Sequence, residues 1–173
     1  MKQKIDVFEY CDHICSTLKK GILLTTASGE EVNTMTIGWG HIGIQWGKPI
    51  FIAYVRESRY TRTLLDLTGE FTINVPLESG DGSVIRYCGG RSGRNCNKIE
   101  DLNLTLEKPR SIGVPGIKEF PLTLECKVIY RQAQDPSRFS DEILERYYPE
   151  DAGGIRDPHI VYYGYILDSY LIV

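Results

Sequence analysis

The segment from Ile22 to Gly40 constrains the fold more than any other. Two β-rich runs, ILLTTA and VNTMTIGWG, are separated only by the turn-like SGEE, which contains Gly29. A link this short reverses the chain, so the runs pair as an antiparallel hairpin; a parallel partner would need a crossover of about a dozen residues. PIFIAYVR, Pro49 to Arg56, is a third strand rich in Ile, Phe, Tyr and Val. EFTINVP is a fourth, stopped by Pro76, and LTLECKVIYRQ, Leu122 to Gln132, and the terminal IVYYGYILDSYLIV supply the longest remaining β patterns.

Helical signals fall between these runs. Ile5, Phe8, Cys11, Ile14, Cys15 and Leu18 recur at three-and-four spacing, which predicts an amphipathic helix from Ile5 to Lys19 ending at Gly21. Ser58 reads as an N-cap, followed by Tyr60, Leu64 and Leu67 and closed by Gly69. Ser83–Gly89 and Asn97–Asp101 read as two short helices around the loop CGGRSGRN. Strand–helix–strand alternation is missing. The predicted fold is mainly β with inserted helices, a small antiparallel barrel in one domain over residues 1–173.

Several function classes are disfavoured. A net charge of −3 gives no overall basic field for a nucleic-acid backbone. No apolar run approaches the roughly 20 residues that span a bilayer, and the first residues carry no leader pattern, so a cytoplasmic address is expected. The five cysteines, Cys11, Cys15, Cys88, Cys96 and Cys126, include no C-x-x-C pair and read as free thiols. His13, His41 and His159 are scattered without metal-ligand spacing, so no metal site is expected. G-x-S-x-G is absent, which leaves nucleophilic hydrolysis without support.

Three polar groupings remain. In VNTMTIGWG, Asn33 and Met35 share one strand face and Thr34 and Thr36 the other. Thr is an ordinary strand residue; Asn is not, and it suits the amide-like edge of a ligand. In RESRYT, Arg56, Ser58, Arg59, Tyr60 and Thr61 stand where a strand ends and a helix begins, so cations and hydroxyls meet unpaired amide groups. That corner suits a phosphate, and equally a solvated, serine-capped helix start. Arg91, Ser92, Gly93, Arg94 and Lys98 form an anion-friendly loop that lacks the P-loop pattern and also fits a mobile surface loop. A reaction whose hard step belongs to a bound cofactor needs only such anchors and an apolar wall.

Taken in order, GILLTTASGEEVNTMTIGWGHIGIQWGKPIFIAYVRESRYTRTLLDLTGEFTINVP, YCGGRSGRNCNKI and DPHIVYYGYI resemble the flavin reductase-like family of FMN-binding split barrels, flavoredoxin-type members in particular. The resemblance implies an antiparallel split β-barrel of Greek-key type and a homodimer with FMN near the subunit interface. It implies that Asn33, Thr34, Met35 and Thr36, with Trp39, lie beside the isoalloxazine, and that Arg56, Ser58, Arg59, Tyr60 and Thr61 hold the phosphate. Ser92, Gly93, Arg94 and Lys98 match the family's S-G-R-x-x-D-K motif, which closes over the cofactor or its reductant. Asn97 replaces the usual Asp of that motif, keeping hydrogen bonding but losing charge. His159 resembles the histidine of the family's G-D-H segment, with a role in placing nicotinamide or passing a proton.

The implied activity is hydride transfer from NADH or NADPH to flavin, with electrons continuing to free flavin, a metal complex or an electron-acceptor protein. The alternatives are an FMN-loaded electron carrier without efficient nicotinamide turnover, and a split-barrel binding module with no redox role.

Overall fold

The computed structural model describes residues 1–78 and 82–173. In chain order these form β1 (Lys2–Lys4), α1 (Cys11–Leu18), β2 (Ile22–Ser28), β3 (Glu31–Ile37), β4 (Gly40–Gln45), β5 (Lys48–Arg56) and α2 (Tyr60–Thr68). There follow β6 (Glu70–Val75), α3 (Gly82–Gly90), α4 (Lys98–Asp101), β7 (Leu106–Glu107), β8 (Gly116–Ile117), β9 (Leu122–Ala133), α5 (Asp141–Tyr147) and β10 (His159–Ile172).

The main sheet runs β3-β2-β6-β9-β10-β5-β4, with β1 added to β10, and every pairing is antiparallel. It curls around one core. Met35 and Ile37 of β3, at one end of the strand order, share that core with Phe51, Ala53 and Val55 of β5 near the other end. Phe51 and Phe71 are fully buried, each contributing about 1.5–3 kcal/mol. A second cluster of Leu23, Val84, Cys88, Leu104, Ile117 and Phe120 lies on the outer face of β2. β2 is therefore covered on both sides, and every residue of ILLTTA is buried, the two threonines included.

A buried polar chain joins these layers. Asn74 Nδ2 donates to Thr25 Oγ1 at 3.1 Å, Thr25 to Thr34 Oγ1 at 3.1 Å, and Thr34 to the Leu24 carbonyl at 3.3 Å. Asn74 Oδ1 accepts from Ile117 N at 3.0 Å, tying the sheet to the 106–117 segment.

The structure corrects three sequence expectations. The first helix does not run from Ile5 to Lys19: a tighter 3-10 turn over Val7–Tyr10 precedes α1, shifting the side-chain phase so that Val7 is buried and Phe8 exposed. VNTMTIGWG is not one strand, because β3 ends at Ile37 and Gly40 opens β4. Ser58 does not cap α2. Arg59 occupies the cap position without a side-chain cap bond, and the Ser58 hydroxyl is bonded to Asp157 instead.

Candidate functional site

The carboxyl end of β5, the start of α2, the end of β3 and the start of β10 converge because β10 pairs with β5 in the register His159↔Arg56. Two adjoining cavities open there. One, about 230 Å³, is walled by Met35, Trp39, Tyr54, Arg56, Arg59 and His159. The other, about 190 Å³, is lined by Ser58, Arg59, Thr61, Ser92, Gly93 and Lys98. Arg59 belongs to both walls. Each is smaller than the ~300 Å³ at which small-molecule pockets usually begin, and together they exceed it.

The second cavity carries two cations, and the Asp157 carboxylate favours the charged form of Arg59 from beyond ion-pair distance. Arg59 donates to the Gly89 and Cys88 carbonyls at 2.6 and 3.0 Å, and Lys98 Nζ to the Thr34 and Cys88 carbonyls at 2.8 and 3.2 Å. Carbonyls at the end of α3 suit cations, since the negative pole of the helix lies there. Among the described residues neither cation meets a carboxylate within ion-pair distance. Burial lowers the pKa of Lys98 to about 8, with Arg59 adding repulsion, and burial likewise lowers that of Arg59. Beside them α2 begins without a side-chain cap, and its first residues, Tyr60 and Thr61, line the same cavity. Cys88 is inert: burial raises its pKa to about 11 against the pull of both cations.

The first cavity is aromatic. Trp39 lies over His159 with ring centroids 4.9 Å apart, and Tyr147 meets Trp39 edge-on at 5.4 Å. Arg56 holds this wall in place by donating to the carbonyls of Asp157 at 2.7 Å and Tyr147 at 2.8 Å. Burial lowers the pKa of His159 to about 4, and Arg56 contributes to that fall. Among the described residues no group of His, Cys, Asp or Glu stands together as metal ligands would.

A family model described as "Flavin reductase like domain" matches residues 16–165. The chain belongs to that family. An uncharacterized protein of Archaeoglobus fulgidus is 34% identical over 122 residues, covering 70% of this chain and 68% of its own. Among solved structures, flavoredoxin of Desulfovibrio vulgaris superposes with a TM-score of 0.65 at 24% identity, covering 88% of this chain and 69% of its own. An NADH:FAD oxidoreductase of Streptomyces globisporus does so at 0.62 and 15% identity, covering 88% and 75%. The curled antiparallel sheet is thus the split barrel of the flavin reductase-like family.

Within that barrel the three sequence groupings do converge, but not all their side chains face the cavities. Met35, Thr36, Trp39, Arg56, Arg59 and His159 line the first; Ser58, Arg59, Tyr60, Thr61, Ser92, Gly93 and Lys98 line the second. Asn33 lines neither: it is buried, and its Nδ2 donates to Thr61 Oγ1 at 2.8 Å, linking β3 to α2. Thr34 is buried in the polar chain and offers the site only its carbonyl, to Lys98. Thr36 lines the first cavity, yet its hydroxyl is bonded to the Ile85 carbonyl at 2.6 Å. Arg94 sits outside both walls, donating to the Ser58 carbonyl at 2.9 Å and stacking over Tyr60 at 5.3 Å. Ser58 has its amide and hydroxyl on the Asp157 carboxylate at 3.0 and 2.6 Å, so both donors are occupied.

Gly93 is required by close approach, because a Cβ there would collide with the Asn33 carboxamide and Tyr60. Asn97 caps α4 by accepting from the amides of Ile99 and Glu100, work an amide does as well as the family's carboxylate. Sequence reasoning missed Tyr54, Tyr147, Tyr148, Gln134 and Asp157. Tyr54 had a signal, lying two residues before Arg56 on one strand face, and Asp157 opens the segment DPHIVYYGYI, whereas Gln134, Tyr147 and Tyr148 come from the connection before it, which no motif marks.

Proposed function

We propose that this chain is an FMN-dependent oxidoreductase that takes hydride from NADH or NADPH and passes electrons to free flavin, a metal complex or a partner protein. The observation that carries the reading is the pair Arg59 and Lys98, a half-buried and a buried cation that, among the described residues, hydrogen-bond only to carbonyls beside an uncapped helix start. A buried charge without a partner is costly, and a phosphate at this spot would supply the missing negative charge together with acceptors for the open amides of α2. The phosphate is assigned to the cavity of Arg59, Ser92 and Lys98 rather than to Ser58, whose donors Asp157 already fills.

The ring system is assigned to the adjoining cavity, between Met35 and the Trp39–His159 wall. Arg59, common to both, would orient the ligand between its two ends. When bound, the flavin supplies the hydride-accepting chemistry; the residues around it bind, orient and exclude water. A homodimer fits the edge strand β4, on which Ile44, with Trp46 in the turn that follows it, is exposed and would be covered by a second copy.

The test is a flavin-binding titration of the reconstituted protein with FMN and with riboflavin, for the parent chain and for Arg59→Ala, followed by anaerobic mixing with each nicotinamide. FMN should bind at least tenfold more tightly than riboflavin, and Arg59→Ala should remove most of that difference with its thermal unfolding little changed. Equal affinity for both flavins would exclude the phosphate assignment. FMN retained but not bleached by either nucleotide would leave the electron-carrier alternative.

A further inference from the structure

The first cavity contains a second layer of order behind His159. Gln134 Oε1 accepts from the His159 backbone N–H at 3.1 Å and from the Tyr148 hydroxyl at 2.9 Å. The backbone N–H can only donate, which fixes the carboxamide with its oxygen, not its nitrogen, at this point. Tyr148 has a single hydroxyl proton, and Gln134 Oε1 can only accept it. The same hydroxyl oxygen lies 2.9 Å from His159 Nδ1. That contact is a hydrogen bond only if Nδ1 donates. A neutral imidazole carries one proton, so Nε2 is left with its lone pair.

Nε2 has no hydrogen-bond partner among the described residues and is absent from the buried polar atoms left unpaired, so it reaches the cavity that the ring lines. We propose that Tyr148 and Gln134 are positioning residues that lock His159 as the Nδ1–H tautomer, so that the cavity presents a hydrogen-bond acceptor at Nε2 and selects a ligand carrying an N–H donor there. Given the flavin reading above, on which this step rests, the ligand class is a reduced nicotinamide, whose primary carboxamide has such donors. His159 then orients the reductant and does not supply a proton. The charged neighbours agree: burial and the Arg56 guanidinium on β5 both disfavour the imidazolium, opposed only by Asp157, while Tyr54 and Tyr148 face the ring as neutral phenols.

The lock is tested on the full chain labelled with 15N-histidine. With only three histidines, His159 is assigned by comparison with His159→Gln, and long-range proton–nitrogen correlation at pH 7 reads which nitrogen is protonated. The expected result is a protonated Nδ1 and an unprotonated Nε2, with Tyr148→Phe shifting the proton towards Nε2. Gln134→Glu, which can still accept the tyrosine proton, should keep the parent pattern, and Gln134→Leu should lose it. In kinetics, Tyr148→Phe should lose about tenfold in kcat/KM with NADH and little with its 3-acetylpyridine analogue, which lacks the amide donors.

A parent ring protonated at Nε2, or charged at pH 7, overturns the proposal, as does an unchanged tautomer in Tyr148→Phe. The parent spectrum decides even if a variant fails to fold. Absence of hydride transfer would defeat the nicotinamide-dependent oxidoreductase reading while leaving the tautomer measurable.

Discussion

Two parts of this barrel bury charge, and they do so in opposite ways. Glu125 on β9 is fully buried, and its oxygens accept from Arg110 N at 2.8 Å, Ser111 N at 2.6 Å and Tyr170 Oη at 2.9 Å. No cavity adjoins it in the site described above, and its hydrogen bonds fasten the 106–117 segment to the sheet. Lys98 is also buried and Arg59 half-buried, but their acceptors are neutral carbonyls, and a cavity runs alongside. Burial alone therefore does not mark function. A charge whose hydrogen bonds all close within the protein belongs to the architecture; one that keeps its net charge beside an opening is prepared for a ligand.

The largest expected effect breaks the architectural half of that contrast. Glu125→Ala strips two backbone amides and the Tyr170 hydroxyl of their acceptor inside the core, which should cost about 3–5 kcal/mol of folding stability. For a domain of this size that is a fall in Tm of roughly 6–20 °C. Calorimetric or denaturant unfolding measures it, and the folded fraction should bind FMN as the parent does. A loss below about 1 kcal/mol would mean that water replaces the carboxylate and that the contrast is wrong.

A smaller effect separates His159 from both kinds of buried charge, because it is a titratable group held neutral. Its pKa falls from 6.5 to about 4 on folding, so between those values the unfolded chain binds the extra proton and the folded chain does not. Stability from this group is complete above about pH 6.5 and declines as pH drops towards 4, by up to about 3 kcal/mol. Carboxylates elsewhere add their own acid sensitivity. The difference between the parent and His159→Gln isolates this share: urea unfolding at pH 7 and pH 4.5 should show the parent losing about 2 kcal/mol more than the variant. Parallel losses would place the imidazole in water.

The contrast also explains what the sequence could convey. Strand pairing was legible wherever local chemistry decided it, as in the β2–β3 hairpin around Gly29 and the end of α2 at Gly69, whose φ is 67°. The β4–β5 hairpin was not, because its turn is carried by Trp46 at φ 49° with Gly47 at 71°, and a bulky aromatic residue is no usual turn signal. At the site, the residue types revealed an anion-binding corner, since cations, hydroxyls and a helix start are adjacent in the chain. They could not reveal that Asp157, 99 positions away, holds Ser58, or that Asn33 braces Thr61 instead of facing the cavity. Those outcomes depend on long-range register, in particular the His159↔Arg56 pairing, and no local pattern encodes it.

The smallest effect sharpens the functional half. Lys98 has a pKa of about 8 in the folded protein, lowered by burial and by Arg59. A phosphate placed beside it raises that value, because a neighbouring anion favours the ammonium. Below pH 8 the free site is already protonated and affinity is flat with pH. Above it the free site has lost its proton while the occupied site keeps one, so binding draws a proton from solution. FMN affinity should then fall by about tenfold per pH unit until the raised pKa of the complex is reached. The phosphate contributes no slope of its own here, since its second ionisation lies near pH 6. Riboflavin carries the same ring without the phosphate and removes the ring's own titration from the comparison. Titrations between pH 7 and 9 should show the FMN-to-riboflavin ratio declining in the parent and constant in Lys98→Met. A ratio that stays level in the parent would mean that the ammonium and the phosphate do not meet, and Lys98 would then belong with Glu125, as a charge the architecture has already satisfied.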